Sequence, residues 1–260
     1  MIEETLKNPP IVEALVEIRW ELKEKTSGGH VDPHYQFLLG TFRKSIEREY
    51  PFHEALPTSE VPDEITGGIV KHRFRVEKDA WPLVQIGPGV VTVNIAENYG
   101  TFENFKPKAV NVVKALFESH PEPRDLKIKS LMFRYIDAVE FDYSANDVCE
   151  FLSNSMNVES KIPEFLLIPE KIEKLPVGYS VENSFRCNNP PGVASLRIDT
   201  GHKSKKRAII WNQILKSSGE DVPDDMPTGF ENWISEAHEV IYTWFESIIK
   251  GKLKDEFNRG

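Results

Sequence analysis

The sequence predicts an α+β protein: two tandem β-α-β-β-β-α halves related by pseudo-twofold duplication, with antiparallel sheets each covered by helices. Three observations lead there. FENFKPKAVNVVKALFES, starting at Phe102, and FENWISEAHEVIYTWFES, starting at Phe230, align without a gap and share eight of eighteen residues. Their separation, 230 − 102 = 128, is close to half of the 260 residues. The order of alternating and helical-period segments ahead of the first copy also recurs ahead of the second. The predicted first half covers residues 1–125 and the second 126–260.

In the first half, IVEALVEIRWEL at 11–22 alternates apolar and polar residues around Ala14, Val16 and Ile18. Pro9 and Pro10 prevent a helix from starting earlier, so this is a strand. Residues 33–50 place Tyr35, Phe37, Leu38, Phe42 and Ile46 at helical spacing and stop before Pro51. Strands follow at 68–77, 81–87 and 90–96, the last two joined by Gly87-Pro88-Gly89, a hairpin turn. The first copy of the repeated helix closes the half. Pro107 is expected in its first turn, where a missing N–H costs nothing, which makes Asn104 the N-cap and Asn232 its counterpart.

HPEPRD at 120–125 suits a linker, and LKIKSLMFRYIDAVEFDY at 126–143 restarts the series as a long strand. SANDVCEFLSNSM at 144–156 is a short helix with Ser144 as its expected cap. Strands are predicted at 174–187, 193–200 and 207–216, before the second copy of the helix. One face of each copy is apolar: Phe105, Ala109, Val112, Val113, Leu116 and Phe117 in the first, and Trp233, Ala237, Val240, Ile241, Trp244 and Phe245 in the second. These faces should cover the sheet, so truncating Phe117 or Trp244 should unfold its half.

Composition narrows the functional classes. A net charge of −9 works against sequence-independent phosphate binding, which needs clustered Lys and Arg. Forty per cent hydrophobic residues and a mean hydropathy of −0.40 describe a globular chain. The start, MIEETLKNPP, has neither a basic region nor an apolar core and does not read as a secretory signal. No apolar run reaches the roughly 18 residues of a membrane span. Cys149 and Cys187 form no CxxC. The expectation is a cytoplasmic protein with reduced thiols, no membrane and no cofactor.

Few residues suggest chemistry. His30, Asp32 and His34 in GHVDPH are ligand types for zinc, but they lie on a loop leading into a helix, and no metal site is expected. EAHE at 236–239 lacks the second histidine of HExxH, and no phosphate loop follows Gly87. HKSKKR at 202–207 gathers Lys203, Lys205, Lys206 and Arg207, the one place where the acidic chain turns basic. It is either a phosphate-contacting tip or a solvated hairpin turn. The acidic loop with Glu220, Asp221, Asp224 and Asp225 could pair with it or with a basic partner. These eight residues are the candidate ligand- or partner-binding set.

KNPPIVEALVEIRW at 7–20, GPGVVTVNIAENYGTFENF at 87–105, FRYIDAVEF at 133–141 and the ending at 233–257 resemble a sporadically distributed, uncharacterised bacterial family of about this length. The resemblance carries over no catalytic residues. It implies an accessory protein, of the kind found in defence, toxin–antitoxin or mobile-element operons. The expected function is a non-enzymatic protein-binding or regulatory module with a protein partner encoded nearby, and a homodimer is left open. The alternative is a nucleic-acid or nucleotide sensor using the 202–207 loop. For an enzyme, the feature to look for is a deep polar cleft between the halves holding several acids or histidines.

Overall fold

The computed structural model describes residues 6–25 and 28–259. The first five residues of the start read above lie outside them. In chain order the elements are β1 (Ile11–Trp20), a small hairpin of β2 (Lys23–Glu24) and β3 (His30–Val31), α1 (Tyr35–Ile46), β4 (Phe52–Ala55), α2 (Asp63–Thr66), β5 (His72–Arg75), β6 (Leu83–Gly87), β7 (Val90–Ile95) and α3 (Phe102–Ser119). Then follow β8 (Ile128–Glu140), α4 (Val148–Met156), β9 (Ser180–Asn188), β10 (Pro191–Lys203), β11 (Lys206–Ser218), α5 (Phe230–Ile249) and α6 (Lys252–Asn258).

The architecture is α+β, with one large antiparallel sheet and six helices among the described residues. The sheet has nine strands in the order β4-β5-β6-β7-β1-β8-β11-β10-β9. The sequence leaves open whether its antiparallel strands form one continuous sheet or two packed back to back; β1 and β8 pair directly, from Ile11 opposite Asp137 to Trp20 opposite Ile128, and join everything into one. Both strands alternate, so burying one face of each against helices leaves their edges free to meet in register.

Alternation decides what each strand buries. Along β1, Ala14, Val16, Ile18 and Trp20 are buried while the residues between them are only half-buried. Along β8, Leu131, Phe133, Tyr135 and Asp137 point to the same side. The main core sits there, between the sheet and α1, α3 and α5, and draws residues from both predicted halves, among them Phe42, Phe105, Phe133 and Trp233. A smaller cluster under α4 and α6 includes Trp211, Leu152 and Leu253.

Several local expectations change. The N-caps of the repeated helices are Thr101 and Gly229, three residues before Asn104 and Asn232. Asn104 instead accepts a hydrogen bond from the Thr101 hydroxyl at 2.9 Å, and Asn232 donates to Glu236 at 2.9 Å. Pro107 therefore lies one turn deeper than expected and leaves the carbonyl of exposed Glu103 without its helical donor. Solvent tolerates that at an exposed helix end. In α5 the matching position is Ser235, whose hydroxyl donates to the Glu231 carbonyl at 2.8 Å.

Asp147, not Ser144, caps α4, accepting from the N–H groups of Cys149 and Glu150. Phe117, Val240, Trp244 and Phe245 are only partly buried, because the outer flank of each helix overhangs the sheet. The turn at Gly87-Pro88-Gly89 is the expected hairpin: Gly87 pairs with Val90, and Gly89 adopts φ 75°, a conformation open to glycine.

Candidate functional site

The seam between β1 and β8 lies beneath α3 and α5, and there the helix layer is incompletely filled. A cavity of about 90 Å³ opens between the Pro9-Pro10 entrance to β1, the Tyr99-Gly100-Thr101 lead into α3, strand β8 and the middle of α5. Its walls are mostly apolar and aromatic, from Tyr99, Tyr135, Tyr242 and Phe245. The carboxyl group among them belongs to Asp137.

Asp137 occupies an inward position of β8, opposite Ile11 on one side and Trp211 on the other. It is 2% exposed. Its Oδ2 has no hydrogen-bond partner among the described residues, and neither has the Nε1 of Trp211 directly across the ladder. Burial pushes the carboxyl up to about 8, against the opposing pull of Lys203. At neutral pH the group is mostly protonated, because no partner compensates the charged form for its lost water.

Beside it runs a chain of polar aromatic groups. The Tyr99 and Tyr135 hydroxyls are hydrogen-bonded to each other, and the Tyr135 hydroxyl shares a further bond of 3.1 Å with Nδ1 of His238 on α5. The His238 ring stacks on Phe102, the first residue of α3, with centroids 3.8 Å apart and planes 6° from parallel. This stack and the contact of Lys106 with Ser235 and Glu231 hold the two helices together. Beyond His238 an open groove between α3 and α5 shares Thr101 and Tyr242 with the cavity and is lined by Glu103, Glu236 and Glu239. Lys106, the one lysine or arginine in its lining, is paired with Glu231 at 3.5 Å.

The residues singled out in the sequence lie elsewhere. Ser204 and Lys205, at φ 48° and 72°, form the two-residue turn between β10 and β11, so HKSKKR is a hairpin tip. Lys206 is paired with Glu140 at 2.8 Å and Arg207 with Asp142 at 2.9 Å. Lys203 donates to the Ala138 carbonyl at 3.2 Å and so comes near Asp137, from a strand position on the opposite face of the sheet. Asp221 binds Arg186 through two bonds of 2.5 and 2.7 Å.

Glu220 and Asp221 follow the far end of β11, with Asp224 and Asp225 beyond them. Thirteen residues of strand, roughly 40 Å, separate this loop from the basic tip, so the two do not pair with each other. In GHVDPH, Asp32 accepts from Trp20 Nε1 at 2.8 Å and from the His34 N–H at 3.0 Å. No group of three or more metal-binding side chains gathers among the described residues. Both cysteines are free, and no helix among the described residues is long and apolar enough to cross a membrane.

Sequence reasoning missed Asp137, although FRYIDAVEF carries its signal: an acid at an inward position of an alternating strand. Compared with known proteins, no family model matches the chain, and no curated protein matches it. Among solved structures it is similar to DynU16, a protein of the dynemicin biosynthetic locus, at 13% identity over 96% of this chain and 100% of that one, with a TM-score of 0.28. A likeness of that size bears on neither the fold nor the site.

Proposed function

We propose that the protein is a non-enzymatic binding module that takes a small organic ammonium ion into the cavity at the seam. The observation that carries this is the buried Asp137 carboxyl, which lines the cavity and has one oxygen that no described residue satisfies. An ammonium group supplies the partner this carboxyl lacks and restores its ionised form. Two further features support the choice of a cation. The ring faces of Tyr99, Tyr135, Tyr242 and Phe245 attract positive charge, and the groove carboxylates of Glu103, Glu236 and Glu239 raise the local concentration of cations. The volume suits a molecule of about five to nine heavy atoms.

The duplication belongs to the same reading. It is supported by the strand order, in which β5-β6-β7-β1 and β9-β10-β11-β8 run inward from opposite sides, with β4 added outside β5. Contacts between α3 and α5 at Lys106 and Ser235 lie at nearly matching positions of the two repeat copies. The ligand would then sit where the halves meet, positioned to couple them.

The test is calorimetry with n-butylammonium and, as a neutral comparison, 1-butanol. Butylammonium should bind at pH 7 with release of about one proton, seen as a dependence of the heat on buffer ionisation. Asp137→Asn should weaken it on the order of 100-fold. Equal binding of butanol, or unchanged affinity in Asp137→Asn, would refute the reading.

A further inference from the structure

Strand β9 ends the nine-stranded sheet, with β10 on one side and no strand on the other among the described residues. It differs from β4 at the opposite edge, which has four residues against nine. Long bare edges are ordinarily blunted by proline, by a bulge or by a covering segment. Ser180–Asn188 contains no proline, and residues 182–186 are all exposed. The ladder with β10 runs without a shift from Ser180 to Asn188.

The direction of the free backbone groups follows from that ladder. Thr200 N–H donates to the Tyr179 carbonyl at 2.9 Å, so the odd-numbered residues of this strand bond to β10. The even-numbered ones, Ser180, Glu182, Ser184, Arg186 and Asn188, turn their N–H and C=O groups outward.

We propose that this rim pairs with the same rim of a second copy, antiparallel, about a twofold axis through Ser184. In that register residue i lies opposite residue 368 − i, every residue of the strand is used, and outward groups meet outward groups. Glu182 then faces Arg186 of the second copy, and Arg186 faces Glu182, so opposite charges meet twice. Moving the axis by one residue shortens the ladder and sets Ser184 against Glu182 in one direction or against Arg186 in the other. Moving it by two sets Glu182 against Glu182 or Arg186 against Arg186. The longest ladder is thus also the one with complementary charge, which favours a second copy over an unrelated strand. Arg186, held by Asp221 in the single chain, would sit between that acid and the incoming glutamate.

The side chains on the other face fit as well. Phe185 is 57% exposed and meets only the edge of Trp244, at 6.0 Å between centroids. Across the axis the two Phe185 rings become diagonal neighbours, within reach of aromatic side chains. They would close over the apolar groove formed by Leu196, Trp244 and Ile248.

The test uses sedimentation equilibrium of the full chain at low salt. The wild type should dimerise reversibly. Glu182→Arg and Arg186→Glu should each raise the dimer dissociation constant roughly tenfold or more, since each sets like charges opposite each other. An equimolar mixture of the two should recover the dimer, because only the mixed pair has opposite charges at both positions. Ser184→Pro, which removes an outward N–H at the axis, keeps the backbone bonds to β10 and gives up only the exposed hydroxyl bond of Ser184 with Ser195, should give a folded monomer. A monomeric wild type, a dimer that survives Ser184→Pro, or a mixture that fails to associate would overturn the proposal.

Discussion

Replacing Asp137 with asparagine should make the protein more stable, by an amount that grows with pH. The carboxyl titrates near 8 in the fold, against 3.8 for an exposed aspartate. Its folded pKa is raised, so between those values the unfolded chain has already released a proton that the folded chain still holds. Stability therefore falls as pH rises through this window, by about 1.4 kcal/mol per pH unit, and levels off above pH 8. Over the whole window this amounts to roughly 6 kcal/mol, an upper bound because a buried group relaxes its surroundings. Asparagine has the same shape and no proton to lose. Urea denaturation of both proteins at pH 5, 6, 7, 8 and 9 gives the difference in unfolding free energy directly. It should widen from pH 5 to pH 8 and then stay constant. A difference that is flat from pH 5 to pH 8 would show that Asp137 is not desolvated, and the argument for its role in the cavity would fall with it.

Trp233, 1% exposed with its Nε1 donating to Ser217 at 2.8 Å, should lose about 3–5 kcal/mol on replacement by alanine, measured by denaturant unfolding. Trp244→Ala, on the overhanging flank of the same helix, should lose less than half as much. Replacing Lys206 and Arg207 together by alanine should change stability by less than about 1 kcal/mol, because their pairs with Glu140 and Asp142 are exposed. A larger loss in the same assay would show that the tip braces β8. His53 and His72, 3.0 Å apart between ring nitrogens, are both lowered, chiefly by burial. The unfolded chain therefore takes up protons first as pH falls below about 6.5, and stability is lost on that side. His72→Gln should flatten the acid limb of the stability profile; an unchanged limb would contradict the burial of the pair.

Most of the sheet was legible because β1, β8 and β11 alternate buried, mostly apolar residues with more exposed ones, while β6 and β7 are short buried runs rich in Val and Ile on either side of a turn. β4 was not legible: Phe52–Ala55 is too short for a period to register, and its pairing with β5 comes from tertiary contact. α6 was missed because Gly251, at φ 100°, breaks the chain after α5, and seven residues read as a tail. The asparagine caps were misplaced because Pro107 was assigned to the first turn. The basic and acidic loops drew attention as charge runs, yet three of their charges are spent on neighbours, Lys206 on Glu140, Arg207 on Asp142 and Asp221 on Arg186. The site was hidden for the opposite reason: Asp137 is a single acid in an apolar strand, and its significance depends on Tyr99, Tyr242 and Phe245, which are remote in sequence.

The pairing of β1 with β8 also determines how the cavity can be reached. Because β1 and β8 are paired from Ile11 to Trp20, the floor beneath it cannot part along the seam without breaking that ladder. The roof is held by separate side-chain contacts: Tyr99, between Asn98 and Gly100 at φ 56° and 73°, is hydrogen-bonded to Tyr135, and α3 meets α5 at Lys106 and Ser235. A guest that enters from above parts those contacts one at a time, while the ladder below stays paired.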